Sequence, residues 1–214
     1  MDLERYAILE KFSAYSVYIP TLLCLYRIKA LNKSLWALVI YLLLCILSDQ
    51  LSWFINGEYR NVLMNIFTIF EYALIVFIYY EQFDYKKIRL GIIIISITFL
   101  FLYIFILIYQ KNYSSVDTIL SPIESAIIAI LAGSYLVKFL VDPKIEKLKK
   151  HYFYWINLGF LLYFPVAILL FLSFDFLKVC KPSTLYLVWG IHLILNTIKN
   201  ILLTIGIWMK RNIQ

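Results

Sequence analysis

Long apolar stretches recur from one end of this 214-residue chain to the other. Each is about 20 residues long, enough to cross roughly 30 Å of hydrocarbon as a helix rising about 1.5 Å per residue. Their bounds read as 13–31, 34–55, 62–80, 88–109, 118–141, 152–173 and 184–208. The expected fold class is therefore all-α, a polytopic membrane protein with a bundle of seven transmembrane helices. Residues 1–214 are expected to make a single domain, because the connections are too short to fold alone. Hydrophobic residues make up 63% of the chain, against about half in a soluble domain.

The formal charge of +7 raises a nucleic-acid role, but the basic residues alternate by loop. One side collects thirteen, among them Arg27, Lys29, Lys33, Lys86, Lys87, Arg89, Lys138 and the run PKIEKLKKH at 143–151. The other collects six: Arg5, Lys11, Arg60, Lys111, Lys178 and Lys181. A Lys/Arg excess marks the cytoplasmic side, which predicts an outside N-terminus and a cytoplasmic C-terminus. The charge is thus topological, and no direct nucleic-acid binding is expected. Lys144, Lys147, Lys149 and Lys150 are candidates for contact with lipid headgroups or a partner protein. MDLERYAILEK at 1–11 is acidic and amphipathic, unlike a cleavable signal, so the first apolar stretch is expected to direct insertion.

Cys24, Cys45 and Cys180 show no paired spacing, so neither a disulfide framework nor a zinc site is indicated. Pro20, Pro122 and Pro165 lie within helices 1, 5 and 6 and invite kinks. Helix 4 has only Ser and Thr as polar residues and is expected to be the most lipid-exposed. Trp36, Trp53, Tyr59, Tyr79, Tyr80, Tyr109, Tyr152, Tyr154, Trp155 and Trp208 lie near helix ends, as interfacial anchors do. Prolines in helices 1 and 5 and asparagines in helices 3 and 7 are compatible with a parallel repeat of helices 1–3 and 5–7 around helix 4.

Counted from the helix ends, the polar residues fall in layers. Asp49, Gln50, Asn65 and Glu124 lie in the outer third, Glu71 and His192 near the midplane, and Asn157, Asn196, Lys199 and Asn200 in the inner third. At about 100° per residue, His192, Asn196, Lys199 and Asn200 share an arc of roughly 100°, with Trp189 on the same side. Asn65, Thr68 and Glu71 share an arc of roughly 120° on helix 3. A central ionisable group costs about 2.5–3.5 kcal/mol to insert, so these faces should turn inward and find partners. The expected interior is a polar cavity built by helices 2, 3, 5, 6 and 7. Its expected pairings are Glu71 with His192, and Lys199 with Asn157 or a headgroup.

Such an interior suits a sensor or accessory protein coupled to a separate cytoplasmic partner, or an ion, proton or solute pathway, which a homo-oligomer could also form. An intramembrane lipid hydrolase is disfavoured, because the spans hold one histidine and no HExxH or GxSxG motif. Lys199 and LLYFP at 161–165 invite comparison with retinal proteins. Leu195, however, stands one turn before the lysine where those proteins carry Asp, and no cofactor or metal is expected. Heavy use of Ile, Lys, Asn, Tyr and Phe points to an AT-rich bacterial genome, hence to a bacterial inner membrane. NIFTIFEY (65–72), YWINLGFLLYF (154–164) and WGIHLILNTIKNILLTIGIW (189–208) resemble a widespread bacterial seven-helix membrane family without assigned chemistry. That resemblance implies a stand-alone membrane protein working beside signalling or phage-defence genes, and it assigns no residue a role.

Overall fold

The computed structural model describes residues 1–55, 57–109, 113–141, 150–173, 176–177 and 179–210. Its principal elements are α1 (Leu3–Ser16), α2 (Tyr18–Tyr26), α3 (Lys33–Phe54), α4 (Glu58–Gln82), α5 (Lys86–Tyr109), α6 (Tyr113–Val141), α7 (Tyr152–Leu172) and α8 (Pro182–Met209), with a 3-10 turn at Ile28–Ala30. Counting α1 and α2 as one, seven spans among the described residues are long and apolar enough to cross a membrane. The all-α, seven-span expectation holds at that level.

The first span departs most from the sequence reading. It starts at Leu3 rather than residue 13 and ends at Tyr26 rather than residue 31. Asp2 starts it by accepting the Arg5 N–H at 3.2 Å, as an N-cap should. The acidic, amphipathic opening lies outside the predicted span, but α8 gives it a surface to pack on. At 28 residues α8 is about 42 Å long, longer than the hydrocarbon layer needs. The first turns of α1 lie against its start, with Tyr6 and Tyr186 ring centroids 5.2 Å apart. The span divides at Val17 because Pro20 lacks the N–H that would reach the Ser16 carbonyl four residues back. Pro122 and Pro165 sit inside helices that continue through them.

Local sequence sets the other boundaries. Asn32 caps α3, its Oδ1 accepting the Leu35 N–H at 3.0 Å. Gly57 turns the chain from α3 to α4 at φ +68°, a conformation a side chain would disfavour. Pro182 opens α8 where its missing N–H costs nothing.

Six spans close a ring in the order α1/α2, α3, α4, α6, α7, α8, and α5 packs outside it on α4 and α6. Its most apolar stretch is 17% buried against the rest of the protein, compared with 33–44% in the other spans. The lipid-exposed reading of helix 4 agrees with this. The N-face below is the end where α1 begins, and the C-face is the end where α8 finishes. Ser13 meets Asn196 and Ser16 meets Asn200, so α1 and α8 run parallel. Tyr79 and Phe83 lie beside Tyr135, and Phe83 also beside Lys138, which makes α4 and α6 a parallel neighbouring pair as well. Towards the C-face the described residues pack across the ring, where the Phe160 ring centroid lies 6.1 Å from that of Tyr41 and 6.2 Å from that of Tyr79, all three fully buried.

Candidate functional site: a polar cavity with a lysine floor

Between α1, α3, α4, α7 and α8 lies a cavity of about 410 Å³, within the range of small-molecule sites. Exposed Glu10, Trp53 and Arg60 line its mouth at the N-face, and Lys199, Asn200 and Tyr41, all buried, form its far end. Asp49 and Glu71 line the wall between them, opposite His192, Asn196 and Tyr163. The mouth-to-floor axis therefore passes two carboxylates before it reaches the ammonium group.

Lys199 is 4% exposed and does not reach the surface, which excludes snorkelling to a headgroup. Its Nζ donates to the Tyr41 hydroxyl at 2.8 Å and sits 4.2 Å from the Tyr163 ring centroid. A desolvated cation–π contact is worth about 2 kcal/mol, which with the hydrogen bond offsets much of the about 2.5–3.5 kcal/mol insertion cost. Two tyrosines thus take the role expected of Asn157. Asp49 and Glu71 lie close enough to Lys199 to interact with it electrostatically, but among the described residues neither is within the 4.0 Å of an ion pair.

His192 and Glu71 share the cavity, so neither faces lipid. They are not hydrogen-bonded to each other, however: the His192 Nε2 lies 3.2 Å from the Tyr163 hydroxyl, and the ring packs edge-on to Trp189 at 5.6 Å. The remaining wet face of α8 is taken up by the first span. Asn196 and Asn200 donate to the Ser13 and Ser16 hydroxyls at 2.9 and 2.8 Å, and the Ser16 hydroxyl in turn donates to the Ser13 carbonyl at 2.6 Å. The four-residue step on α8 meets a three-residue step on α1, so successive turns of the parallel helices pair twice. This opens a correction to the predicted walls: the first span lines the cavity, and the fifth predicted helix does not.

The other predicted polar residues fall elsewhere. Gln50 donates to the Tyr18 hydroxyl at 3.3 Å. Asn65 accepts from Tyr103 on α5 at 2.7 Å and donates to the Asn61 carbonyl at 2.8 Å. Glu124 is buried where α6 faces Tyr72 of α4. Asn157 accepts the Tyr79 hydroxyl at 2.8 Å and donates to the Ala132 carbonyl at 3.1 Å, tying α7 to α4 and α6. Tyr79 is thus a core group and not the interfacial anchor its position implied. Lys150 is exposed, and Lys144, Lys147 and Lys149 lie outside the described residues. Among the described residues, no group of three or more His, Cys, Asp or Glu side chains is arranged to hold a metal ion.

Towards the C-face, a second polar layer lies under the cavity floor. Gln82 donates to Ser34 at 2.8 Å and to the Tyr152 hydroxyl at 3.2 Å, and Asn32 donates to the same hydroxyl at 2.9 Å. Lys138 reaches the Gln82 carbonyl at 2.8 Å and forms an ion pair with Asp84 at 2.7 Å. Arg27 closes the end of α8, donating to the Ile207 and Trp208 carbonyls at 3.1 and 2.8 Å with its guanidinium 4.6 Å from the Trp208 ring centroid. His151 stacks on Tyr152 at 5.3 Å, and burial, with Lys138 and Lys210 nearby, holds its imidazole below the ordinary value. These contacts join α3, α4, α6 and α7 across the end of the bundle.

Comparison with protein-family models, with curated proteins and with solved structures finds no match.

Proposed function

We propose that this is a multi-pass protein of the bacterial inner membrane, non-enzymatic, with its N-face outside. There it binds a small polar ligand in the cavity and couples that binding to a separate cytoplasmic partner. The observation that carries the proposal is the cavity's one-ended course. It runs from exposed Glu10 and Arg60 to buried Lys199 and stops above the Gln82, Tyr152 and Ser34 layer. A cavity closed at one end suits occupancy better than free conduction. The Lys/Arg asymmetry supports the orientation, and the layer beneath the floor supplies contacts that ligand binding could rearrange at the C-face.

Transport is the second reading, favoured by the division of the first span at Val17, a cavity-lining residue beside Pro20. Carrier binding sites are typically built by helices divided in this way. Liposome flux separates the two. Solute or ion movement that is lost in Glu71→Gln or His192→Ala supports transport. Absence of flux together with co-purification of a cytoplasmic protein supports coupling. The cavity itself is checked with single cysteines in a C24A/C45A/C180A background. Ala14→Cys, lining the cavity, reacts with a membrane-impermeant thiol reagent added at the N-face, and Ile19→Cys, exposed on the outer surface of the same span, does not.

A further inference from the structure

The charges in the cavity are sorted by depth. Arg60 and Glu10 stand at the mouth, Asp49 and Glu71 on the wall, and Lys199 at the floor. The ammonium group has three N–H donors. One goes to the Tyr41 hydroxyl, and the Tyr163 ring face balances part of the charge without accepting a full hydrogen bond. Because Lys199 also lines the cavity, a donor remains for an occupant. Among the described residues no carboxylate lies within 4.0 Å of it.

Opposite charges facing one cavity of about 410 Å³ without forming an ion pair restrict what can enter. A simple anion would satisfy Lys199 but would have to pass Asp49 and Glu71. A simple cation would satisfy the carboxylates but would leave the buried ammonium group uncompensated, with like charge beside it. A molecule carrying both charges, anionic end inward, answers the whole field at once. Phe67, Met64, Trp189 and Leu193, interspersed with Ser48, Ser52 and other polar groups of the lining, give an uncharged side chain somewhere to lie.

We propose that the cavity binds a small zwitterion of amino-acid or short-peptide type, its carboxylate on Lys199 and its ammonium group between Glu71 and Asp49. This assignment rests on the ligand-binding role proposed above. Arginine-type forked recognition is absent from the floor, and a single lysine point charge suits a compact carboxylate. His192 and Tyr163, in contact with each other and both on the wall beside Lys199, then border the ligand's α-carbon and set how large a side chain it can carry.

The test uses the full chain in nanodiscs. Thermal unfolding is followed with a panel of free L-amino acids and dipeptides, and each zwitterion that shifts the melting temperature is compared with its decarboxylated and deaminated analogues. The expected result is saturable stabilisation by at least one zwitterion. Each analogue lacking one charge should bind at least about tenfold more weakly, the scale of losing one charge-assisted contact. The active zwitterion should also slow thiol labelling of Ala14→Cys. Lys199→Met and Glu71→Gln should remove the response, and the analogue series on the unaltered chain decides the matter if either variant fails to fold. An amine-only or carboxylate-only analogue that binds as well as the zwitterion overturns the proposal. Labelling of Ala14→Cys without stabilisation by any zwitterion also overturns it, leaving the ligand-binding role intact with another ligand class. Failure of Ala14→Cys to label at all removes the cavity, and the proposed function with it.

Discussion

Gly206→Ala should destabilise the protein by prising α7 from α8. A Cβ built on Gly206 would stand 2.8 Å from the Tyr152 carbonyl oxygen, 2.7 Å from the Ile156 Cγ1 and 3.3 Å from the Ile156 backbone nitrogen. The Ile156 side chain can turn away, but the carbonyl and amide belong to a helix. Ordinary contact begins at 3.4 Å, so the two backbones must separate by roughly 0.6 Å, the difference between 3.4 and 2.8 Å. Overpacking of this kind costs about 1–3 kcal/mol. Alanine recovers about 0.8–1.0 kcal/mol of helix propensity, leaving a net loss of up to about 2 kcal/mol. Gly133→Ala is the control. Its Cβ would meet nothing within 4 Å, so propensity acts alone and the variant should be more stable than the parent by about 0.5–1 kcal/mol. Reversible unfolding in mixed micelles with rising SDS fraction measures both. Gly206→Ala gaining as much stability as Gly133→Ala would refute the close-packed α7–α8 seam. The separation should also reach Gly159, whose own Cβ would lie 3.3 Å from the Lys199 carbonyl, and so shift the cavity floor.

Asn157→Leu should cost about 0.6–1.7 kcal/mol, the span measured for interhelical hydrogen bonds in membranes. Combined with Tyr79→Phe, it should cost less than the sum of the single changes in the same SDS titration, and strict additivity would argue against their 2.8 Å bond. Arg27→Gln should cost about 1–2 kcal/mol by removing both the carbonyl cap on α8 and the Trp208 contact. Arg27→Lys should lose less, and equal losses would show that charge is not what matters there. Since His151 is held below its ordinary 6.5, the unfolded chain takes up the proton first. Its contribution is complete above about pH 6.5 and falls away in acid, so melting temperature should drop from about pH 7 to 5 in the parent and drop less in His151→Phe. The same acid slope in both would exclude this histidine as the source.

The spans were legible because hydropathy over twenty residues is an additive signal, and the bounds of the last four predicted helices moved by only a few residues. The inward faces of α4 and α8 were legible too, since Glu71, His192, Asn196, Lys199 and Asn200 share arcs that lipid would penalise. Partner choice was not. Depth alone allowed Lys199 to meet Asn157, but depth does not say which helix lies opposite. The tyrosines concealed the answer: their rings read as apolar or interfacial, and their hydroxyls supply the partners of Lys199, Asn157 and His192. The first span was misjudged for a related reason. Its serines are small and weakly polar, and only the spacing of Asn196 and Asn200 on the facing helix shows what Ser13 and Ser16 are for.

Outlying as it is, α5 sets the direction in which every later helix of the ring runs. α4 and α6 can lie side by side in the same direction only because one crossing intervenes between them. Without α5, every later helix would enter from the opposite side. The lysine-rich and lysine-poor ends of the chain's two halves would then no longer coincide, and α8 could not present Lys199 to Tyr41.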